Sequence, residues 1–298
     1  MARPGVSERT AWLFMAPFLL LFATFTLWPV LFNGWLAFHD YFLLSGNTAW
    51  NGFANFVFLA EDKQYFHPAL LHSLIFLLVV PLLQLVAFGL ALLVRPRRPG
   101  TGFFRALFYS PVILSVAIAA VVWQQLLLPD GLVNWLIASV TGLARHHPPD
   151  WLNDADYALA ATMLFFCWKY AGYYMVLYLA GLQSVPRSLL EAAMLDGAGA
   201  WARLRHVTLP AMQPVILLST LLSTIAALKA FQEIIVLTGG DAGTSTLLVY
   251  AYFVGFYGQN FGVAGAVALL LTLFCLLLAW LQMHWLGEHG VLRHGGVK

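Results

Sequence analysis

The sequence predicts an all-α membrane protein with six transmembrane helices, and two observations carry that prediction. Hydrophobic residues make up 61% of the chain and charged residues only 9%, whereas about 25% of residues are charged in soluble domains. The chain also contains six apolar segments long enough to cross a hydrocarbon core, which takes about twenty helical residues. We expect helices because backbone that faces lipid must satisfy its own polar groups.

The predicted spans are joined by short loops and lie roughly at residues 11–33, 70–94, 104–128, 157–181, 211–236 and 263–286. The first span follows Arg3 and Arg9, as the apolar core of a secretory signal would. It is too long for such a core, and no small-x-small cleavage site follows it, so we expect a retained anchor. The predicted organisation is an N-terminal segment at 1–10, a membrane domain at 11–286 and a tail at 287–298.

Lysine and arginine are distributed unevenly between the predicted loops, and this distribution sets the orientation. Cytoplasmic loops of membrane proteins carry an excess of these residues. With the N-terminus inside, eleven basic residues lie on the inner side and only Lys63 and Arg145 on the outer side. Both termini and the loop at about 182–210 are therefore expected in the cytoplasm. The inner residues are Arg3, Arg9, Arg95, Arg97, Arg98, Arg105, Arg187, Arg203, Arg205, Arg293 and Lys298.

The loop at 191–210 is a polar island between two apolar spans. Ser188 and Glu191 have the spacing of a capping box, which predicts a helix start. Gly197 can adopt a positive φ and therefore suits a helix C-terminus and a sharp turn. A second short helix is expected at about 201–206, and the following Leu-Pro pair is expected to end it before the next span.

The same loop carries a spaced motif: Glu191-Ala192-Ala193, three residues, Gly197, nine residues, Val207, one residue, and Leu209-Pro210. This motif resembles the cytoplasmic coupling loop, or EAA loop, of permease subunits in binding-protein-dependent ABC importers. In that family the ATPase subunit docks onto the membrane subunit at this loop. An ordinary charged linker is the alternative interpretation. The coupling residues that the resemblance implies are Glu191, Ala192, Ala193, Asp196, Gly197, Leu209 and Pro210.

Further stretches extend the resemblance over nearly the whole chain. They are similar to the six-span sugar permeases of the carbohydrate uptake group, which are relatives of the maltose and glycerol-phosphate importers. Two positions depart from the pattern: Gln232 stands where an aspartate is common, and Asp241-Ala242 replaces a glycine-proline pair. The similar stretches are Trp12–Tyr41, Tyr109–Gly131, Trp168–Gly181 and Lys229–Gly240.

The resemblance implies a type I ABC importer permease fold with a cytoplasmic coupling helix, in a prokaryotic inner membrane. It implies import of a sugar or related polyol by alternating access, with a separate ATPase as the driver. Mono- and oligosaccharides, polyols and sugar phosphates all remain open. The expected partners are a second related permease, two ATPase subunits, an extracytoplasmic substrate-binding protein and membrane lipid. ATP and Mg are expected on the ATPase subunits, with no cofactor and no catalytic residue on this chain.

Polar and aromatic side chains within the predicted spans indicate a translocation path. A charge at the bilayer centre is costly, so such groups usually face partners or water. Lys229 and Glu233 are four residues apart and are predicted to share a helix face, and aromatic faces suit sugar rings. A structural ion pair with an interfacial aromatic belt is the alternative. The candidate path residues are Gln124, Trp168, Lys169, Tyr173, Lys229, Gln232 and Glu233.

Motifs for other activities are missing from the sequence. There is no G-x-x-x-x-G-K phosphate loop, so the chain is not expected to hydrolyse ATP. There is no G-x-S-x-G or H-E-x-x-H motif of a hydrolase either. The net charge of +2 reflects the inner arginines and does not indicate nucleic-acid binding. Five histidines lack the spacing of metal ligands: His146, His147, His284, His289 and His294.

The alternative function is a self-sufficient secondary carrier. Such a protein would use Lys169, Lys229 and Glu233 for proton or ion coupling. Many carriers are built from repeated halves, and this sequence has no obvious internal repeat. The coupling-loop motif counts against the carrier more strongly.

Overall fold

The structure is a computed structural model that describes residues 8–44, 46, 48–95, 99–141 and 148–287. These residues are mostly helical, and the sheet found among them has two strands. The chain divides into two compact units. The first consists of Met1–Lys63 with Tyr250–Leu270, and the second of Gln64–Val249 with Leu271–Lys298.

The first unit is built on a long apolar helix followed by a short hairpin. A π-helical turn joins two α-helices, so the chain is helical from Glu8 to Leu36 without a break. In the hairpin, His39 lies opposite Trp50. The elements are α1 (Glu8–Phe22), a π-helical turn (Ala23–Leu27), α2 (Trp28–Leu36), β1 (His39–Tyr41), β2 (Thr48–Trp50) and α3 (Ala54–Glu61).

Asn55 fixes the hairpin to α3. Its buried side-chain amide donates to the carbonyl oxygens of Ala37 at 2.9 Å and His39 at 3.0 Å. Gly262, in the first turn of the helix Phe261–Gly287, lies directly against the His39 carbonyl, so a side chain at this position would clash. The hairpin is therefore held by polar contacts and close backbone packing within this unit.

The second unit contains the remaining helices, and a 27-residue helix runs through its centre. Its core includes Phe76, Phe165, Phe166 and Met175, all nearly inaccessible to solvent. The elements are α4 (Phe66–Phe76), α5 (Val79–Val94), α6 (Thr101–Ile113), α7 (Val116–Leu127), α8 (Leu132–Thr141), α9 (Ala158–Ser184), α10 (Arg187–Leu195), α11 (Ala200–Arg203), a π-helical turn (Leu204–Thr208), α12 (Leu209–Ala211), α13 (Gln213–Leu228) and α14 (Gln232–Thr238). Two further helices, α15 (Leu247–Tyr252) and α16 (Phe261–Gly287), have residues in both units, and a π-helical turn (Phe253–Tyr257) lies in the first.

Gln84 ties three helices of the second unit together. Its Oε1 accepts from the hydroxyls of Tyr178 at 2.5 Å and Ser219 at 2.7 Å. Its Nε2 donates to the Ser223 hydroxyl at 2.7 Å and to the Ser219 carbonyl at 3.2 Å. The amide therefore has partners for both of its polar atoms, as a polar group among apolar helices requires. The composition of the segments gave no sign of this contact.

Among the described residues, four helices are long and apolar enough to cross a membrane. Those at Trp12–Leu36, Phe66–Val94 and Phe261–Trp285 coincide within a few residues with the predicted first, second and sixth spans. The fourth apolar helix is Val116–Thr141. The predicted fourth span lies in α9, which also carries a lysine and several tyrosines.

The predicted third and fifth spans are each divided between two helices. The segment 104–128 is divided between α6 and α7, because Leu114 has an extended backbone with ψ 143°. The segment 211–236 is divided between α13 and α14 by the non-helical residues that follow Leu228. Apolar composition alone does not reveal such breaks, since the residues around them remain hydrophobic.

Candidate functional site

The predicted coupling loop begins with α10, but the predicted capping box is wrong. Pro186 is the N-cap residue, with ψ 131°, and no side chain caps the helix. Ser188 and Glu191 consequently lie inside α10, where Ser188 is the second helical residue. Proline suits this start because the first-turn amides have no partner within the helix.

Gly197 forms the predicted turn, and its positive φ of 77° is confirmed. The Gly197 amide donates to the Met194 carbonyl at 3.1 Å, and the Ala198 amide donates to the Ala193 carbonyl at 2.9 Å. These two bonds are the Schellman motif, which satisfies carbonyls left open at a helix C-terminus. Asp196, immediately before the glycine, is the C-cap residue.

The second half of the loop is longer than predicted. The helix expected at about 201–206 begins at Ala200 and continues through a π-helical turn to Ala211. Leu209 and Pro210 therefore do not stop it. The chain turns at Met212 instead, and the helical axes on either side of this residue differ by 71°. Pro210 has no amide hydrogen to donate, and it follows the π-helical turn Leu204–Thr208, where the regular α-helical hydrogen-bond pattern is already interrupted.

The loop presents apolar side chains that nothing in the described part of the chain covers. No residue of α10 is buried. Leu195 is 90% exposed and Trp201 70% exposed, and Leu189 and Met194 are exposed to about half. Glu191 and Asp196 are exposed beside them. Large exposed apolar side chains beside charged ones are typical of a protein interaction site.

Lys169 of α9 occupies the break between α6 and α7. Its ammonium group donates to the carbonyls of Pro111 at 2.5 Å, Leu114 at 2.6 Å and Val112 at 3.2 Å. The last carbonyls of a helix have no internal partner, and a cation is favourable at that end. All three donors of the buried lysine are therefore used to cap α6.

The backbone of α6 also lies unusually close to α9. A Cβ atom at Gly172 would collide with the backbone of Phe108 and approach that of Tyr109. Gly172 follows Lys169 by three residues, so the two share one face of α9. The close approach and the buried cation together hold the end of α6 against α9. Lys169 thus stabilises the packing of α6 against α9.

Glu233 pairs with a tyrosine rather than with Lys229. The Tyr170 hydroxyl donates to Glu233 Oε1 at 2.6 Å. Lys229 follows the end of α13 and Glu233 lies in the first turn of α14, so the prediction that they share one helix face is wrong. The broken helix turns the buried carboxylate toward α9 while Lys229 remains exposed.

A cavity of about 540 Å³ lies between α9 and the α13–α14 break. It brings together three of the seven candidate path residues, Lys229, Gln232 and Glu233. The path predicted from the sequence omitted three aromatic lining residues, although Phe166 and Tyr170 have the i, i+4 spacing that places them on one helix face. These aromatic residues are Phe166, Tyr170 and Phe231.

The other candidate path residues lie outside this cavity. Gln124 donates to the carbonyls of Val236 at 2.6 Å and Leu237 at 3.2 Å, and so fastens α7 to α14. Trp168 packs against Trp123, with ring centroids 5.4 Å apart. Tyr173 is exposed and contacts the ring of Tyr174.

Histidines form no cluster suited to a metal in the described ranges. No group of three His, Cys, Asp or Glu side chains there could hold an ion. His284 stacks on the ring of Trp280. The other histidines named above, His146, His147, His289 and His294, lie outside the described residues.

The helical fold and the loop motif define a class of membrane transport protein. The chain belongs to the family of binding-protein-dependent transport system inner membrane components, whose model matches residues 85–285. It is 32% identical to the lactose transport system permease protein LacF of Rhizobium radiobacter, over 92% of each chain. It is 28% identical to the trehalose/maltose transport system permease protein MalF of Thermococcus litoralis, over 88% of each chain.

A solved structure shares the fold of the whole chain. It belongs to a bacterial ABC transporter involved in the import of the acidic polysaccharide alginate. The two chains are 24% identical, match over 94% of this chain and 96% of the other, and superpose with a TM-score of 0.79. This likeness shows that the chain has the overall fold of an ABC transporter chain over nearly its full length.

Proposed function

We propose that this chain is a permease subunit of an ATP-driven, binding-protein-dependent importer of a sugar or related polyol. The observation that carries the proposal is the coupling loop at about 182–210, whose helices lie within residues 187–211. It presents an uncovered apolar patch on two helices, and a Schellman turn at Gly197 fixes their junction. A linker between spans needs neither feature, whereas a docking surface for an ATPase subunit needs both.

The assembly that fits one such loop contains a second, related permease. ABC ATPases work as a dimer with two docking clefts, and this chain offers one coupling loop. Two ATPase subunits, which bind ATP and Mg, and an extracytoplasmic substrate-binding protein complete the proposed importer. A related solved transporter contains a periplasmic protein bound to an alginate pentasaccharide, which supports the last component.

The proposed topology has six crossings in a prokaryotic inner membrane with both termini in the cytoplasm. Two crossings are broken helices, α6–α7 and α13–α14, and a third is α9. The continuous crossings are α1–α2, α4–α5 and α16. The proposed boundaries remain a segment at 1–10, a permease domain at 11–286 with its coupling loop at about 182–210, and a tail at 287–298.

The cavity beside the α13–α14 break is the proposed contact point for substrate. Its aromatic rings, from Phe166 and Phe231, suit the apolar faces of a sugar. Gln232 and Lys229 are exposed toward its opening and can bond hydroxyl groups, while Glu233 accepts from Tyr170. Carbohydrate substrates are further supported by the lactose and trehalose/maltose relatives.

The contacts of the lysines weaken the secondary-carrier alternative. Ion coupling through Lys169 would require its ammonium to leave three carbonyl partners. Lys229 and Glu233 belong to different helices. The Lys229–Glu233 pair expected from the sequence is therefore not formed.

Uptake by reconstituted vesicles tests the proposed function. The permease pair, with and without its ATPase subunits, is assayed with the binding protein and radiolabelled lactose or maltose as probes. Uptake is expected only with the ATPase and ATP. Accumulation by the permease pair alone, driven by a proton or sodium gradient, would establish the carrier instead.

A further inference from the structure

A crevice of about 400 Å³ lies between the end of α5 and the coupling loop. Leu92 lines it from α5, and Leu190 and Leu204 line it from the loop. Two arginines also open into it, Arg95 after α5 and Arg203 at the end of α11. The crevice therefore combines an apolar wall with two positive charges.

Neither arginine has a partner within the described part of the chain. Both side chains are half-buried, and no hydrogen bond or ion pair to either guanidinium is found among the described residues. Arg105, by contrast, donates twice to the Val94 carbonyl, at 2.7 Å and 3.2 Å. Two like charges that face one partly desolvated space repel each other, and an anion between them would remove that cost.

We propose that this crevice binds the phosphate headgroup of an anionic phospholipid. The apolar helix Phe66–Val94 is long enough to cross a membrane, so Arg95, the next residue, falls at the depth of the headgroups. Guanidinium groups bind phosphate through paired hydrogen bonds. Basic pockets between helices at the cytoplasmic face bind such headgroups in other membrane proteins.

The apolar wall favours a lipid over a free anion. Leu92, Leu190 and Met194 line the space beside the two guanidinium groups. A free phosphate would leave these side chains facing water, whereas the glycerol and first acyl carbons of a phospholipid would cover them. The two arginines and the apolar wall of the crevice thus suit a phosphate headgroup and the first carbons of its chains.

A lipid in this crevice would connect α5 to the coupling loop. No residue of α10 or α11 is buried, so a further contact would help to fix this part of the loop. A phosphate held by Arg95 on one side and Arg203 on the other would supply such a contact. The assignment of this lipid to the inner leaflet rests on the proposed topology. The binding of the phosphate by the two arginines does not depend on that topology.

Native mass spectrometry of the permease pair in nanodiscs tests the proposal. The discs contain phosphatidylglycerol and phosphatidylcholine in equal amounts, and retained lipid is counted after detergent release. Arg95→Gln and Arg203→Gln are each expected to lower phosphatidylglycerol retention at least about fivefold. The matched control is Arg205→Gln, which removes an exposed charge from the same loop outside the crevice and is expected to retain lipid like the parent.

Three outcomes would overturn the proposal. Equal retention by the parent and the Arg95→Gln/Arg203→Gln double variant would show that the crevice is not the site. Equal loss in Arg205→Gln would show only diffuse attraction. Displacement of the lipid by millimolar inorganic phosphate, or by addition of the ATPase subunits, would assign the arginines to a small anion or to the partner protein.

Arg95→Lys and Arg203→Lys keep the charge and are expected to retain most of the lipid, which separates lost binding from misfolding.

Retention is measured without transport substrate and without ATP turnover. A failure of the proposed import function would therefore appear in the uptake assay and not in this one. Conversely, loss of lipid binding in variants that still import sugar would confirm the crevice as an accessory site.

Discussion

Lys169 and Lys229 lie in neighbouring apolar segments, yet their surroundings assign them different roles. Lys169 is 2% exposed and caps the end of α6 through three carbonyls. Lys229 is exposed at the rim of a cavity. A lysine in an apolar segment is costly unless it meets partners or water, and each of these residues uses one of those two solutions.

Replacement of Lys169 by methionine is expected to destabilise the protein by about 3 kcal/mol or more. The substitution conserves the aliphatic stem but leaves the carbonyls of Pro111, Val112 and Leu114 without a donor, and each unsatisfied buried group costs about 1–3 kcal/mol. The measurement is unfolding of the purified chain in a fixed detergent. Lys229→Met is the matched control and should stay within about 0.5 kcal/mol of the parent. Equal stability of the two variants would show that the capping contact does not stabilise the fold.

Glu233 is expected to couple energetically to Tyr170 and not to Lys229. In a double-mutant cycle, Tyr170→Phe and Glu233→Gln should be non-additive by about 0.5–3 kcal/mol, because the hydroxyl and carboxylate bond each other directly. Lys229→Met combined with Glu233→Gln should be additive within about 0.5 kcal/mol. Both cycles are measured on stability without substrate, so that a bound sugar cannot connect the residues. Coupling of Glu233 to Lys229 with additivity toward Tyr170 would contradict the structure and support the Lys229–Glu233 pair that the sequence predicted.

At the scale of elements, the sequence predicted the features that depend on neighbouring residues, such as apolar helices and helix ends. Three apolar helices lie where hydropathy placed them, and Gly197 has the positive φ expected of a helix terminus. The family and the loop motif were also recognisable, because that motif consists of adjacent residues at fixed spacing. The capping box failed since Pro186 already starts the helix and leaves Ser188 within it.

The broken helices could not be predicted from the same information. The break after Ile113 is stabilised by Lys169, which is distant in sequence, and the break after Leu228 separates Lys229 from Glu233. The first break therefore depends on packing between helices, which the composition of the segment 104–128 does not reveal. The residues that line the cavity therefore differ from those predicted for the path. Aromatic residues of α9 line it although they were not predicted, and Gln124 does not, because it bonds backbone carbonyls of α14.

At the scale of the whole molecule, the chain is one component of a larger transport system. Its family supplies the membrane component of binding-protein-dependent transport, and it contains no phosphate loop of its own. The proposed importer therefore obtains its energy through the coupling loop. The coupling loop joins α13 at Met212, where the helical axes differ by 71°, and α13 leads to the cavity at the α13–α14 break.

The most direct test of this account is ATPase association with coupling-loop variants of the complete importer. Gly197→Val places a β-branched side chain at φ 77°, which costs roughly 1 kcal/mol or more and redirects both short helices. Glu191→Lys reverses an exposed charge on the proposed docking face. Both are expected to insert into the membrane like the parent while ATPase co-purification or substrate-stimulated ATP turnover falls. If both variants retain the ATPase and turn over ATP like the parent, the loop is a linker and the proposed coupling function is wrong.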